Sequence, residues 1–196
     1  MNLHKREDSN LVITAEEGVM YLLESMGEDF DREGLKDTPR RVVKAYREMT
    51  EGYEQDPAEI LSTQFEGDDY DELVIVRGIR FTSLCEHHLL PFMGTASVAY
   101  LPRNRVVGLS KIPRLVHCFA RRLQLQERLT RQIALAMKDN LDPQGVGVHI
   151  EAQHQCMACR GVRQMDADMV TTTVLDRMRE DASLKSEFIS AVHAKG

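Results

Sequence analysis

The chain has 196 residues, enough for one core domain with a modest appendage, and a net charge of -6 that argues against the broad basic face of a nucleic-acid binder. Nowhere do about 18 apolar residues run together, and residues 1–10 are polar without an apolar signal core, so neither a membrane segment nor export is expected. Four cysteines without export fit a reducing compartment, and a cytoplasmic protein is expected.

The charge is unevenly spread. Residues 1–75 carry 8 Lys+Arg against 20 Asp+Glu, whereas residues 76–196 carry 17 against 11, a change from -12 to +6. An acidic N-terminal helical region is therefore expected over residues 1–70, set apart from a second domain over residues 71–196. A local excess of Lys and Arg in the second half suits a small anionic ligand such as a phosphate ester.

Thr14-Ala15-Glu16-Glu17 is a capping-box pattern, and Val19, Leu22, Leu23 and Met26 follow at helical spacing up to Gly27. Thr38-Pro39 reads as an N-cap with proline in the first turn, followed by the apolar stripe Val42, Val43, Tyr46 and Met49. Asp56-Pro57 starts a short helical turn, and Gly67-Asp68-Asp69 marks the passage to a different structure. From Glu72 the period becomes two: residues 73–76, 81–84 and 95–101 read as strands of an antiparallel meander. Ser110 is expected to cap a helix with Ile112, Leu115, Val116, Phe119 and Leu123 on one face, and Leu129, Ile133, Met137 and Leu141 define a second helical face. After Pro143-Gln144-Gly145, the apolar residues Val146, Val148, Ile150 and Ala152 alternate along a strand. If that strand continues, His154 and Cys156 project to one face. Residues 162–175 read as another strand and residues 181–194 as a closing helix. The order of elements predicts an α+β architecture with helices grouped on one face of an antiparallel sheet.

The chemistry-bearing residues concentrate in two places. Cys85-Glu86-His87-His88 and His154-Gln155-Cys156 combine thiolates and imidazoles at metal-ligand spacing. A zinc site of catalytic type uses three protein ligands, here Cys85, His88 and Cys156, and leaves one position for a water of lowered pKa. His87 and His154 would then stand beside the metal as proton donors or acceptors. Two alternatives use the same residues: Cys156-Met157-Ala158-Cys159 completes a closed four-ligand structural site, or forms a redox C-x-x-C.

Four ordered blocks extend the reading. Ser83-Leu84-Cys85-Glu86-His87-His88 with Pro91-Phe92, Gly108-Leu109-Ser110-Lys111 with Arg114, Gln126-Glu127-Arg128-Leu129-Thr130, and Glu151-Ala152-Gln153-His154-Gln155-Cys156 with Arg160-Gly161-Val162 resemble the signature blocks of GTP cyclohydrolase I. The resemblance covers roughly residues 12 to 193. It implies the tunnelling fold (T-fold), with subunits pooling their sheets into a barrel and two pentameric rings stacked as a homodecamer. It also implies conversion of GTP and water to formate and 7,8-dihydroneopterin triphosphate, the first step toward folate or biopterin.

The family pattern favours the open site, with one Zn²⁺ per subunit on Cys85, His88 and Cys156, and gives Cys159 no required role. By position, His87 resembles the acid that protonates the purine N7, His154 the residue serving ring opening and ribose proton transfers, and Ser110 the hydroxyl that assists the later rearrangement. Glu127 matches the reader of the two adjacent guanine donors, with Gln126 assisting through side chain or backbone. Lys111, Arg114 and Arg160 match the triphosphate-binding set, and Arg41 resembles a basic residue lent by a neighbouring subunit.

Overall fold

The computed structural model describes residues 13–67 and 70–194. The polar start, residues 1–10, and Asp68-Asp69 of the acidic cluster lie outside them. The chain forms two compact units, Met1–Glu48 and Met49–Gly196.

The first unit carries α1 (Ala15–Ser25) and most of α2 (Thr38–Met49). The capping box forms as the sequence predicts: the Thr14 hydroxyl accepts from the Glu17 amide at 3.2 Å, while the Glu17 carboxylate accepts from the Thr14 amide at 2.6 Å. The bond from the Thr14 amide first, and then one from the Thr14 hydroxyl at 2.8 Å, hold the Glu17 carboxyl below its usual range. Thr38 already belongs to the first helical turn, one position further in than the N-cap expected of it.

In the second unit a 3-10 turn (Glu51–Glu54) and α3 (Pro57–Ile60) precede a two-stranded ribbon of β1 (Gln64–Glu66) with β4 (Arg105–Val107). The main sheet contains β2 (Val74–Cys85), β3 (Pro91–Leu101), β5 (Leu123–Gln124), β6 (Gly145–His154) and β7 (Asp168–Asp176), in the order β5-β2-β3-β6-β7. All pairings in it are antiparallel except β5 with β2. The two expected strand pieces at 73–76 and 81–84 are one strand interrupted by a bulge between Val76 and Ile79. Gly78 takes φ +71° there, a conformation that costs glycine little. The last strand starts at Asp168, six residues later than expected.

α4 (Lys111–Ala120) and α5 (Gln126–Leu141) cover one sheet face. Ile112, Leu115, Leu129, Ile133 and Met137 bury there against Val98, Tyr100, Val148 and Ile150. The alternate positions Ala99 and Leu101 face the other way and meet Met178 and Phe188. These come from α7 (Arg177–Glu180) and α8 (Ala182–His193), so helices also cover part of the second face. Gly147 permits this, because a Cβ there would lie 2.8 Å from the Met178 methyl and 2.9 Å from the Phe188 ring. Among the described residues no helix is long and apolar enough to cross a membrane.

Candidate active site

Three chain segments meet where β2 and β6 end. β2 delivers Cys85, which is buried and in register with Gln124 of β5. The chain then turns tightly: the amides of His88 and Leu89 both donate to the Cys85 carbonyl, at 3.2 and 2.8 Å, and the Cys85 amide donates to the Leu90 carbonyl at 2.9 Å. Leu89 takes φ +55°, a left-handed conformation unfavourable for a residue with a Cβ. This turn exposes His87 and His88 while keeping Cys85 inside. β6 ends at His154, and α6 (Gln155–Ala158) bends the chain immediately. Cys156 therefore reaches the site from a helical turn, where the sequence suggested strand alternation.

The donor atoms of Cys85, His88 and Cys156 all lie within 4.8 Å of one another. The Cys85 sulfur is 3.7 Å from His88 Nδ1. A tetrahedral zinc with ordinary bond lengths separates its sulfur and nitrogen ligands by about 3.6 Å, so this pair is already spaced as one edge of the polyhedron. Burial first, and then the adjacent Cys85 sulfur, push the Cys156 thiol up. Two crowded thiols disfavour ionising together, and a cation removes that penalty; the donor set fits a metal ion. Cys159 is exposed and stands outside this three-residue group, at the C-terminal end of α6.

His154 lies flat against Phe92, its cross-strand partner, with ring centroids 4.5 Å apart and planes 5° from parallel. Its Nε2 is 2.8 Å from Gln126 Oε1. The amide orientation of Gln126 is fixed by its other contacts: the two hydrogens of Nε2 are shared among the carbonyls of Met169, at 2.8 Å, and Ile150, at 3.2 Å, and the Thr171 hydroxyl at 3.2 Å. Carbonyls only accept, so the Gln126 oxygen faces the histidine, and His154 carries its proton on Nε2 with Nδ1 left as the lone-pair nitrogen. Thr130 closes the network by donating to the Gln126 carbonyl at 2.7 Å and contacting Thr171 Oγ1 at 2.7 Å. Burial lowers the His154 pKa, with Glu127 opposing from outside.

The remaining predicted residues divide by position. Ser110 occupies the N-cap position of α4 but makes no side-chain capping bond; it is exposed, as is Arg114, with Lys111 half-buried between them. Glu127 is exposed at the start of α5, next to buried Gln126. Arg160 places Nη1 3.4 Å from His88 Nε2 and 3.5 Å from the Cys156 carbonyl, on the metal-donor cluster itself. Arg41 belongs to the first unit, where it pairs with Asp37 at 3.2 Å. The sequence reading missed Arg128, whose guanidinium makes a forked ion pair with Glu86 and so ties the start of α5 to the Cys85 turn. That pairing holds the Glu86 carboxyl below its ordinary range. Its signal was available, since both residues lie inside the matched blocks.

An α+β sheet that brings two thiols and an imidazole together at its strand ends, with a second histidine held in one tautomer nearby, is the arrangement of an enzyme whose centre could bind a metal ion. The comparisons give that class its family. The GTP cyclohydrolase I family model matches residues 15–193. The GTP cyclohydrolase 1 of Alkalilimnicola ehrlichii is 51% identical over 171 residues, 87% of this chain and 92% of that protein. That of Streptococcus suis is 50% identical over 181 residues, 92% of this chain and 96% of its own, and that of a Janthinobacterium is 50% identical over 175 residues, 89% of this chain and 88% of its own. The apo archaeosine synthase QueF-Like is a partial structural likeness, with a TM-score of 0.44 and 19% identity over 53% of this chain and 92% of that one, too slight to bear on function. The chain belongs to the GTP cyclohydrolase I family, whose T-fold it has, and it converts GTP to dihydroneopterin triphosphate.

Proposed function

We propose that the site works as an open three-ligand centre with one Zn²⁺ per subunit on Cys85, His88 and Cys156, flanked by two histidines that move protons. The convergence of those three donors, with Sγ and Nδ1 already at a tetrahedral edge length, carries the reading. A zinc ion bound there supplies a water acidic enough to act as nucleophile near neutral pH.

The side chains do the rest. His87, exposed next to a ligand, donates a proton to the purine N7 as charge builds on the ring during attack at C8. His154 accepts protons at Nδ1 during loss of formate and ribose opening. Its neutral form is favoured by burial, and its direction is fixed by Gln126 and Phe92. Ser110 assists the rearrangement of the opened ribose before the second ring closes.

Glu127 accepts from N1–H and the exocyclic amine of guanine, two adjacent donors that a carboxylate can satisfy together. Because the Gln126 side chain is committed within the chain, its help to the base falls to the backbone at the helix start. Lys111, Arg114 and Arg160 bind the triphosphate. Cations in the first turn of α4 oppose the helix dipole, and a bound polyanion relieves that opposition. Arg41 completes a neighbouring subunit's pocket in a decamer of two pentamers, a cytoplasmic assembly without membrane or nucleic-acid partners.

Incubating metal-replete protein with GTP under single-turnover conditions tests the reading. Formate and a product that becomes fluorescent on oxidation are expected from the parent. Neither is expected from Cys156→Ser, and His154→Ala is expected to bind GTP without releasing product at the parent rate.

A further inference from the structure

A second cluster of metal-type donors lies on the other face of β6. His149 and Glu151 point away from the α4–α5 core, toward α8, whose last residue His193 reaches back to them. One carboxylate oxygen, Glu151 Oε1, is 3.0 Å from His149 Nε2 and 3.5 Å from His193 Nε2. The two rings are edge to face at 5.6 Å. For nitrogen and oxygen ligands about 2.0–2.2 Å from a tetrahedral metal, the edge length is about 3.4 Å; the 3.5 Å pair matches it, the 3.0 Å pair is somewhat inside it, and all three donor atoms lie within 4.8 Å of one another.

Three further features prepare the cluster for a cation. His149 is buried at 4% exposure, and its other nitrogen, Nδ1, is 2.8 Å from Oγ1 of Thr172, its β7 partner. A hydrogen bond at Nδ1 that fixes the ring and aims Nε2 is the usual support behind a metal-bound histidine. Second, Arg77 donates from Nη1 to the carbonyls of Ala191 and Ala194, on either side of His193, and so holds the end of α8 over the sheet. The guanidinium also lines the cluster's cavity, with its charge set against the negative dipole end of the helix. Third, the cluster opens onto a cavity of about 490 Å³ that Thr95 and Ser97 also line, which leaves room for a water ligand.

We propose that His149, Glu151 and His193 form a second metal site, taking Zn²⁺ or a similar divalent transition ion through two imidazoles and one carboxylate. Bound there, the ion pins the C-terminal helix to the centre of the sheet. It is separate from the Cys85, His88 and Cys156 centre in both residues and sheet face, and it contains no sulfur.

Cobalt(II) distinguishes the two centres, because thiolate ligands give an intense near-ultraviolet charge-transfer band and nitrogen–oxygen ligands give only weak visible bands. Full-length protein stripped with a chelator and titrated with Co²⁺ should bind two ions per chain, one of each spectral type. His193→Ala and the isosteric Glu151→Gln should each lose the sulfur-free equivalent and keep the charge-transfer band. Cys156→Ser should show the reverse. Saturation of the parent at one ion per chain with full charge-transfer intensity overturns this site while leaving the other intact. So does retention of two ions by both His193→Ala and Glu151→Gln, in which case the three side chains form only a hydrogen-bonded cluster.

Discussion

The side-chain oxygen of Gln126 faces Nε2 of His154 at 2.8 Å, and the amide cannot be turned around without aiming its donors away from two backbone carbonyls. A glutamine at the start of α5 therefore selects the protonation site of a histidine at the end of β6. Gln126→Leu should lower kcat while leaving GTP binding nearly unchanged, by part of the roughly 10²–10⁴-fold that His154→Ala removes. Separate kcat and KM values check this; a rise in KM alone assigns Gln126 to the base instead.

The division between binding and chemistry gives a second expectation. His87→Ala should keep its metal and its affinity for GTP and lose roughly 10²–10⁴-fold in turnover. Glu127→Ala should weaken GTP by about 1–3 kcal/mol, since the two guanine donors lose their charged acceptor, and should narrow the preference for GTP over ATP. Equilibrium binding of both nucleotides to each variant measures it. An unchanged GTP-to-ATP ratio in Glu127→Ala removes that residue from base recognition.

Assembly is open to a direct check. If Arg41 is lent to a neighbouring subunit's pocket as proposed, turnover requires the oligomer. Light scattering should report a decamer, and dilution or mild denaturant that dissociates it should abolish turnover. A fully active monomer contradicts the proposal.

Packing of β3 on β6 makes Gly94 nearly irreplaceable. A Cβ at this position would sit 1.9 Å from the Glu151 carbonyl oxygen and 2.7 Å from Ala152 Cα. Gly94→Val should cost about 4 kcal/mol or more, because the register that brings His154 beside Phe92 has to open. The urea midpoint reads it, and a shift within the range of ordinary surface substitutions refutes the close approach.

Acid should loosen α8 before the sheet. Asp181 caps this helix, and the Ser183 hydroxyl first, then the Ser183 and Leu184 amides, hold its carboxyl below the ordinary 3.8. A lowered carboxylate pKa contributes stability that is complete above 3.8 and lost as pH falls through the lowered value. Asp181→Asn, which caps without titrating, should therefore lose less of its helix stability between pH 5 and pH 2, in amide exchange, than the parent does.

Much of this was legible in the sequence because local chemistry carries it. The Thr14 capping box, the Asp56-Pro57 turn and the alternation along residues 146–152 each formed as read. Cys85, His88 and Cys156 come together as their spacing suggested. What escaped depends on distant partners. The bulge at Gly78 looked like a break between two strands, and the two residues of β5 are too few to leave a periodic signal. The alternation along β6 does not foretell what covers its other face: His149 is buried there because Gly147 admits Phe188 and brings α8 down beside it. Likewise, nothing local in Gln126 foretells a histidine 28 residues later.

Metal loss should follow the three donors. Cys85→Ser, His88→Ala and Cys156→Ser should each lose the sulfur-bound metal and activity together, and Cys159→Ser should keep both.

The most direct measurement is X-ray absorption at the zinc edge of metal-replete His193→Ala, a variant chosen so that one kind of site dominates the signal. Two sulfur and two nitrogen or oxygen scatterers are expected, the ligation of Cys85, Cys156, His88 and one exchangeable position. Three sulfurs and one nitrogen would place Cys159 on the metal, close the site, and contradict an open three-ligand centre.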